Sequence, residues 1–479
     1  MDLTPADLTG VCFAGAARQA ELMRAGELSS RELVAEHLSR IDRFDPKLNA
    51  FRLVFAEQAT AQAAEADERR ARGEDAPLLG VPIAVKEDLA IEGLPTTKGT
   101  NAVRTPAPDD SHVVQRLREA GAVIIGRTRM PELGLWPYTE SAWAGPTRNP
   151  WSLTHSSGGS SGGSASAVAA GLAAAAIGTD GAGSIRIPSA VSGLFGLKPQ
   201  RGRVSLYPDR EGWTGMVVAG PLARTVADWA LVADQIRGSR PGDAHVAHPP
   251  RTSFVEAAAT EPGALRIGVS LRPWGPGIPI DPEVRTAVLD TATLLGDLGH
   301  DVVRLDPPMR DYTAPNLFSA RYLNNAYDTR MALELPDNVE ARTRQAGELG
   351  RRLPRALVRK ALSGDRALTA HANRIFTDVD VLLTPALTRP PIRVGEWDGR
   401  STFTALLAAS RYTTFLPLWN IVGNPAAAVP AGFSASGLPL AVQLVGRQHD
   451  ECTLLQVSAQ LERARPWADR VPPGFGHTN

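Results

Sequence analysis

Residues 156–204 read SSGGSSGGSASAVAAGLAAAAIGTDGAGSIRIPSAVSGLFGLKPQRGRV. Two glycine/serine knots, Gly158–Ser164 and Gly178–Ser184, flank an alanine-rich segment. Glycine removes bulk where backbone must approach a ligand closely or turn through positive φ, and serine places hydroxyls at the same points. Taken alone, the first knot has the composition of a flexible linker. The residues after it argue otherwise. Ala165–Ala176 is a strong helix former, and the second knot brings the charged pair Asp180 and Arg186. The most apolar window, Ala165–Gly178, reads as a buried helix; it is short and interrupted by Ser166, so it does not read as a membrane span.

Upstream, Gly80–Asp88 is a short apolar run of strand type that ends in Lys86. Burial of that strand would place an ammonium where it is costly and lower its pKa. The plain alternative is a lysine paired with Glu87 or Asp88. Val113–Ala120 reads as a helix and Gly121–Gly126 as a buried strand, an alternation that indicates an α/β fold with a parallel or mixed sheet. Residues 1–75 read as helices. Ser29 and Glu32 fit a capping box, Leu33, Val34, His37, Leu38 and Ile41 share a face, and Asp45-Pro46 is expected to end that helix. His37 is expected to be structural. A second, largely exposed helix is expected over Phe55–Arg72. The loop Met130–Pro150 carries Trp136, Tyr138 and Trp143 beside the first knot, as substrate wall or core cover.

Downstream, a helix is expected to about Ile236, then a surface connection over 237–262. Leu265–Leu271, Asp301–Arg304, Asp380–Pro385, Asn420–Pro430 and Leu438–Gly446 read as strands. Helices are expected over Pro282–Leu298, N-capped by Asp281, and over Glu451–Arg463, with a helical stretch at 312–376 broken at Pro336 and Pro354.

The chain has 479 residues, 43% hydrophobic and 21% charged, in the range of ordinary globular proteins. Lysine plus arginine and aspartate plus glutamate each total 51, and this balance supports neither nucleic-acid nor anionic-membrane binding. Cys12 and Cys452 lie near opposite ends, which favours a reducing compartment over a disulfide framework. The opening Met1-Asp2-Leu3-Thr4 lacks the pattern of a secretory leader, so a cytoplasmic location is expected.

Gly158-Gly159-Ser160-Ser161-Gly162 satisfies G-x-S-x-G, but the nucleophile elbow needs a buried strand directly before it. Asn149–Ser156, with a proline and mostly polar residues, makes a poor one. The lysine supports better chemistry. Backbone N–H groups of Gly181, Ala182, Gly183 and Ser184 are placed to converge on an oxyanion. A serine nucleophile needs a base, which a neutral, desolvated lysine provides. Ser160 offers a second hydroxyl to relay the proton between Lys86 and Ser184.

Gly158–Val204 closely resembles the signature of the amidase signature family. So do the segment around Lys86, Thr139–Ser141, Gly145–Trp151, Gly220–Arg224 and Gly437–Gly446, and the resemblance runs from about residue 5 to 465. It implies one domain over 1–479: a helical region at 1–75, a signature core at about 76–236, a substrate-side insertion at 312–376 and C-terminal core elements at 377–465. The implied fold is α/β, a central mixed, twisted β-sheet covered on both sides by helices. The implied site is a Ser–cis-Ser–Lys triad: Ser184 as nucleophile, Ser160 as the serine after a cis peptide, Lys86 as base and acid. Ser161, Asp180 and Arg186 match supporting residues, with Arg186 the partner of Asp180. No metal or organic cofactor is implied. The family usually has Gly-Gly before the nucleophile; here Gly181-Ala182-Gly183-Ser184 departs from it, and activity is expected to survive.

Hydrolysis of a carboxylic amide follows, with aryl esters or carbamates as further substrates and a homodimer as a possible assembly. The rivals are the A subunit of a glutamyl-tRNA amidotransferase and a non-catalytic binding protein on the same fold. Trp213–Ala219 resembles stand-alone amidases more than the amidotransferase. The substrate pocket is expected from Met130–Tyr138, the 312–376 insertion and Thr413–Trp419, with Tyr138 and Trp419 as contacts.

Overall fold

The computed structural model describes residues 5–275, 277–307 and 314–476. Residues 1–4, on which the leader expectation rests, and positions 312–313 of the expected insertion lie outside them. Strands run, in chain order, Phe51–Val54 (β1), Pro82–Lys86 (β2), Val123–Thr128 (β3), Ala175–Asp180 (β4), Gly196–Lys198 (β5), Val218–Leu222 (β6), Arg266–Val269 (β7), Asp301–Arg304 (β8), Val381–Pro385 (β9), Ala426–Phe433 (β10) and Pro439–Gly446 (β11). One sheet has the order β1-β3-β2-β4-β6 and the other β8-β7-β9-β11-β10-β5. Phe195 and Ala223, just outside β5 and β6, exchange N–H···O bonds of 2.9 and 3.1 Å and join the two sheets.

Both sheets are mixed. β2 is parallel to β3 and β4, while β1 and β6 are antiparallel at the edges. In the second sheet β7 is parallel to β8 and β9, and β5, β10 and β11 pair antiparallel. Every residue of β2, β3 and β4 is buried, as expected of parallel strands covered on both faces. The pleat sends alternate residues to opposite cores. Ile83, Val85, Ile124 and Ile177 pack with Val113, Leu117, Val232 and Ile236 of two helices. Ala84, Ile125 and Ala176 face Ile41, Phe44 and Leu48 and the helix Gly162–Ala169. Small residues on that second face let the helix of the first knot come close to the sheet.

The capping box forms: Ser29 Oγ accepts from the Glu32 N–H at 3.1 Å, and the Glu32 carboxylate accepts from the Ser29 N–H at 2.9 Å. That helix runs Ser30–Leu48, one turn farther than expected, with Pro46 inside its last turn and Asn49 in a left-handed cap at φ 54°. His37 is buried against Gln19, with its ring nitrogen 3.3 Å from the amide, and burial pushes its pKa down to about 3. The helix expected over Phe55–Arg72 runs Ala56–Ala71.

Three other segments differ from the sequence reading. The alanine-rich window is a helix only over Gly162–Ala169; its second half is β4. Alanine favours helix locally, and pairing of Ala175–Ile177 with Ile83–Val85 overrides that preference. Asn420–Val422 belong to the helix Leu418–Val422, which ends at Gly423, φ 88°, before β10. Within 237–262, Phe254–Ala259 forms a helix because Phe254, Ala257 and Ala258 find core contacts. As the sequence reading expects, no core strand precedes the G-x-S-x-G match: Ser152–Ser156 is a half-exposed strand that pairs with Arg148–Asn149 and bridges Arg393, outside both main sheets.

Among the described residues no helix is long and apolar enough to cross a membrane. Cys12 and Cys452 are both buried and free.

Candidate active site

Parallel β2 and β4 end at one edge, the usual place for a site in an α/β sheet. β2 ends in Lys86, and β4 ends in Thr179 and Asp180. Lys86 and Thr179 meet there: Lys86 Nζ donates to Thr179 Oγ1 at 2.8 Å and to Ser160 Oγ at 2.8 Å. Thr179 Oγ1 in turn donates to Asp88 Oδ2 at 2.6 Å, and that carboxylate lies 3.5 Å from Lys86 Nζ. Lys86 is fully buried, and burial pulls its pKa below the ordinary lysine value even though Asp88 pulls the other way. An ion pair would normally raise it; here desolvation prevails because the ammonium loses its water entirely. Asp88 is one of the two partners the sequence offered for Lys86; Thr179 was not legible as one. Lys86 and Asp88, two apart at a strand end, share a side, but the Thr179 contact requires β2–β4 pairing.

The first knot crosses this edge with every residue from Ser156 to Ala170 buried, which is not linker behaviour. The Gly159–Ser160 peptide is cis. Ser161 joins the two knots: its N–H donates to the Ser184 carbonyl at 3.2 Å, and its Oγ bonds the Thr179 carbonyl at 3.2 Å. Ser160 is thereby held next to the Ser184 turn on one side and Lys86 on the other.

The turn after β4 is tied down by Asp180. Its Oδ1 accepts from the Gly183 N–H at 2.6 Å and from Asn420 Nδ2 at 2.8 Å; its Oδ2 accepts from the Ile185 N–H at 3.1 Å. Arg186 Nε donates to Oδ2 and Nη2 to Oδ1, both at 3.0 Å, between two side chains with no solvent exposure. Arg186 also reaches Gln443 Oε1 at 2.7 Å and Asn420 Oδ1 at 2.6 Å. It is therefore a clamp on Asp180 and on the second sheet. Burial works against the Asp180 charge, but Arg186 outweighs it and the carboxyl sits well below the usual aspartate range. Asp180→Asn is expected to destabilise the protein by about 3–5 kcal/mol, since it leaves a buried guanidinium uncompensated. Urea unfolding measures this, and a loss under ~1 kcal/mol would remove the clamp role. The depressed pKa adds stability that is present above about pH 4 and lost as pH falls toward the folded value.

The oxyanion expectation needs one correction. The Gly183 N–H is committed to Asp180 Oδ1, so it does not face a ligand. Among the described residues, no acceptor meets the N–H groups of Gly181, Ala182 and Ser184. Gly183 has another function: at φ 122°, a Cβ there would meet Leu416 Cδ1 at 2.6 Å. Ala182 lies outside the left-handed region, so alanine in place of the usual glycine strains nothing.

Ser184 is 9% exposed and opens, with Ala182, into a cavity of about 360 Å³. All three expected segments contribute walls, through Leu135 and Trp136, Phe318 and Tyr322, and Thr413. Neither expected contact residue does. Tyr138 stacks behind Trp136 at 5.8 Å and accepts from Arg342. Trp419 is 1% exposed, packed against Phe376 and Trp274 in the core. In their place stand Trp213, from the turn before β6, and Phe403, Leu406 and Leu407 of the helix Thr402–Tyr412. That helix has an apolar stripe in sequence, which was the available signal.

The comparisons with known proteins put the chain in the amide-hydrolase class. The chain belongs to the amidase signature family: the family model "Amidase" matches residues 32–455. It is 46% identical to a protein named "Putative amidase AmiB2" from Mycobacterium tuberculosis, over 97% of this chain and 99% of that one. It is 36% identical to the A subunit of glutamyl-tRNA(Gln) amidotransferase from Roseiflexus castenholzii, over 95% of this chain and 96% of that one. Among solved structures, 6-aminohexanoate cyclic dimer hydrolase complexed with substrate superposes with a TM-score of 0.89 at 32% identity, covering 96% of this chain and 99% of that one.

Proposed function

We propose that the protein hydrolyses a carboxylic amide to acid and amine through an acyl-enzyme on Ser184. Lys86, neutral, takes the proton of Ser160 as Ser160 takes that of Ser184, and Ser184 Oγ adds to the carbonyl carbon. The amides of Gly181, Ala182 and Ser184 receive the oxyanion. Collapse breaks the C–N bond, and the proton on Lys86 returns through Ser160 to the leaving nitrogen. Water then adds to the ester by the same relay and releases the acid. The observation that carries this reading is the 2.8 Å bond from a fully buried Lys86 to Ser160 Oγ.

The amidotransferase is the weaker reading. Its glutamine substrate carries an ammonium and a carboxylate, and the cavity at Ser184 offers no charged side chain among its described walls. A non-catalytic role is disfavoured by the retention of Lys86, Ser160 and Ser184. A panel of neutral anilides, aryl esters and carbamates, assayed on the isolated chain, tests the proposal. Anilide turnover is expected; glutaminase activity that emerges only with added partner proteins would replace it with the amidotransferase reading.

A further inference from the structure

The lining of the Ser184 cavity narrows the substrate. Among its described residues there is no Asp, Glu, Lys, Arg or His. The polar side chains near its mouth are already engaged: Ser410 Oγ donates to the Leu407 carbonyl and Thr413 Oγ1 to the Ala409 carbonyl, both at 2.9 Å. The Tyr322 hydroxyl donates to the Leu135 carbonyl, so only its ring faces inward. An ionic group on the substrate would lose water here without gaining a partner, which costs far more than a buried methylene returns.

Trp213 closes the side nearest the nucleophile. It and Thr214 are consecutive non-glycine residues at φ 48° and 52°, followed by Gly215 at φ 79°. Non-glycine residues in that region are uncommon, so the turn is held by contacts. Asn325 Nδ2 donates to Thr214 Oγ1 at 3.4 Å, and Tyr322 meets the Trp213 ring edge-on at 5.5 Å. The turn presses the indole onto the nucleophile loop: a Cβ on Gly181 would sit 3.2 Å from Trp213 Cε3. Phe403 and Leu407, one helical turn apart, line the cavity while 69% and 48% exposed, and so mark where it opens to solvent.

We propose that this cavity selects an uncharged amide with an apolar chain running from Ser184 toward Phe403 and Leu407, and that Trp213 determines its fit beside the carbonyl. The inference rests on the amidase reading for the placement of the carbonyl, but binding tests it separately from catalysis. Ser184→Ala protein is titrated calorimetrically with hexananilide, with its ω-ammonium analogue 6-aminohexananilide, and with anionic glutaranilate. Hexananilide is expected to bind at least about tenfold tighter than either ion. Adding Trp213→Ala should weaken hexananilide about tenfold, while Trp213→Phe stays within about threefold, with folding checked by circular dichroism.

Equal or tighter binding of an ion, no measurable hexananilide binding, or hexananilide affinity indifferent to Trp213→Ala in a folded variant would each overturn the inference. Failure of the amidase reading has a different signature: wild-type protein that binds hexananilide but neither hydrolyses amides nor reacts with a fluorophosphonate.

Discussion

Replacing Ser184 by alanine is expected to reduce amide hydrolysis by about 10⁴- to 10⁶-fold and to abolish covalent labelling by a fluorophosphonate. Thermal stability should barely move. The Ser184 hydroxyl has no protein partner among the described residues and opens into the cavity, so its loss breaks no hydrogen bond and leaves no buried group orphaned. The backbone of the turn is held independently, through Asp180 and through the Ser161 N–H on the Ser184 carbonyl. Mass spectrometry of the labelled protein gives the site directly. A label on Ser160, or on the Ser184→Ala variant, would remove Ser184 as nucleophile.

Replacing Lys86 by alanine is expected to lower anilide hydrolysis by about 10³-fold or more and aryl-ester hydrolysis by clearly less. An amine leaves poorly unless it is protonated, whereas a phenolate leaves unaided, so loss of the proton carrier falls hardest on the amide. Equal losses on the two substrates would restrict Lys86 to positioning Ser160. The wild-type pH profile carries the complementary signature. A base must be neutral to act, so kcat/KM should rise with pH along a limb centred below the ordinary lysine value of about 10.4, because burial depresses the Lys86 pKa. Asp88 favours the ammonium, so Asp88→Asn should move that limb to lower pH. A limb that stays in place, or moves up, would separate it from Lys86.

Much of this site is readable locally. A strand ending in lysine, a capping box and two glycine/serine knots with Asp180 and Arg186 are statements about neighbours in sequence, and each is present in the fold. The errors fall where tertiary contacts override a local signal or where that signal has no direction. Ala165–Gly178 favours helix locally, and pairing with β2 and β6 turns its second half into strand. Trp419 and Tyr138 carried an aromatic signal that says nothing about which way a ring points; both turned inward, where burial of their large apolar surface is favourable.

Hydrophobic period, capping and glycine conformation act over a few residues, so the class of fold and the three side chains on which the proposed chemistry turns could be read along the chain. What surrounds those side chains was decided in three dimensions. Thr179 reaches Lys86 only through pairing of β2 with β4, whereas Asp88 reaches it from the end of the same strand, and the substrate wall is assembled from segments around residues 136, 213, 322 and 407. No local preference links positions so far apart; the packing of two sheets and their helices brings them to one edge.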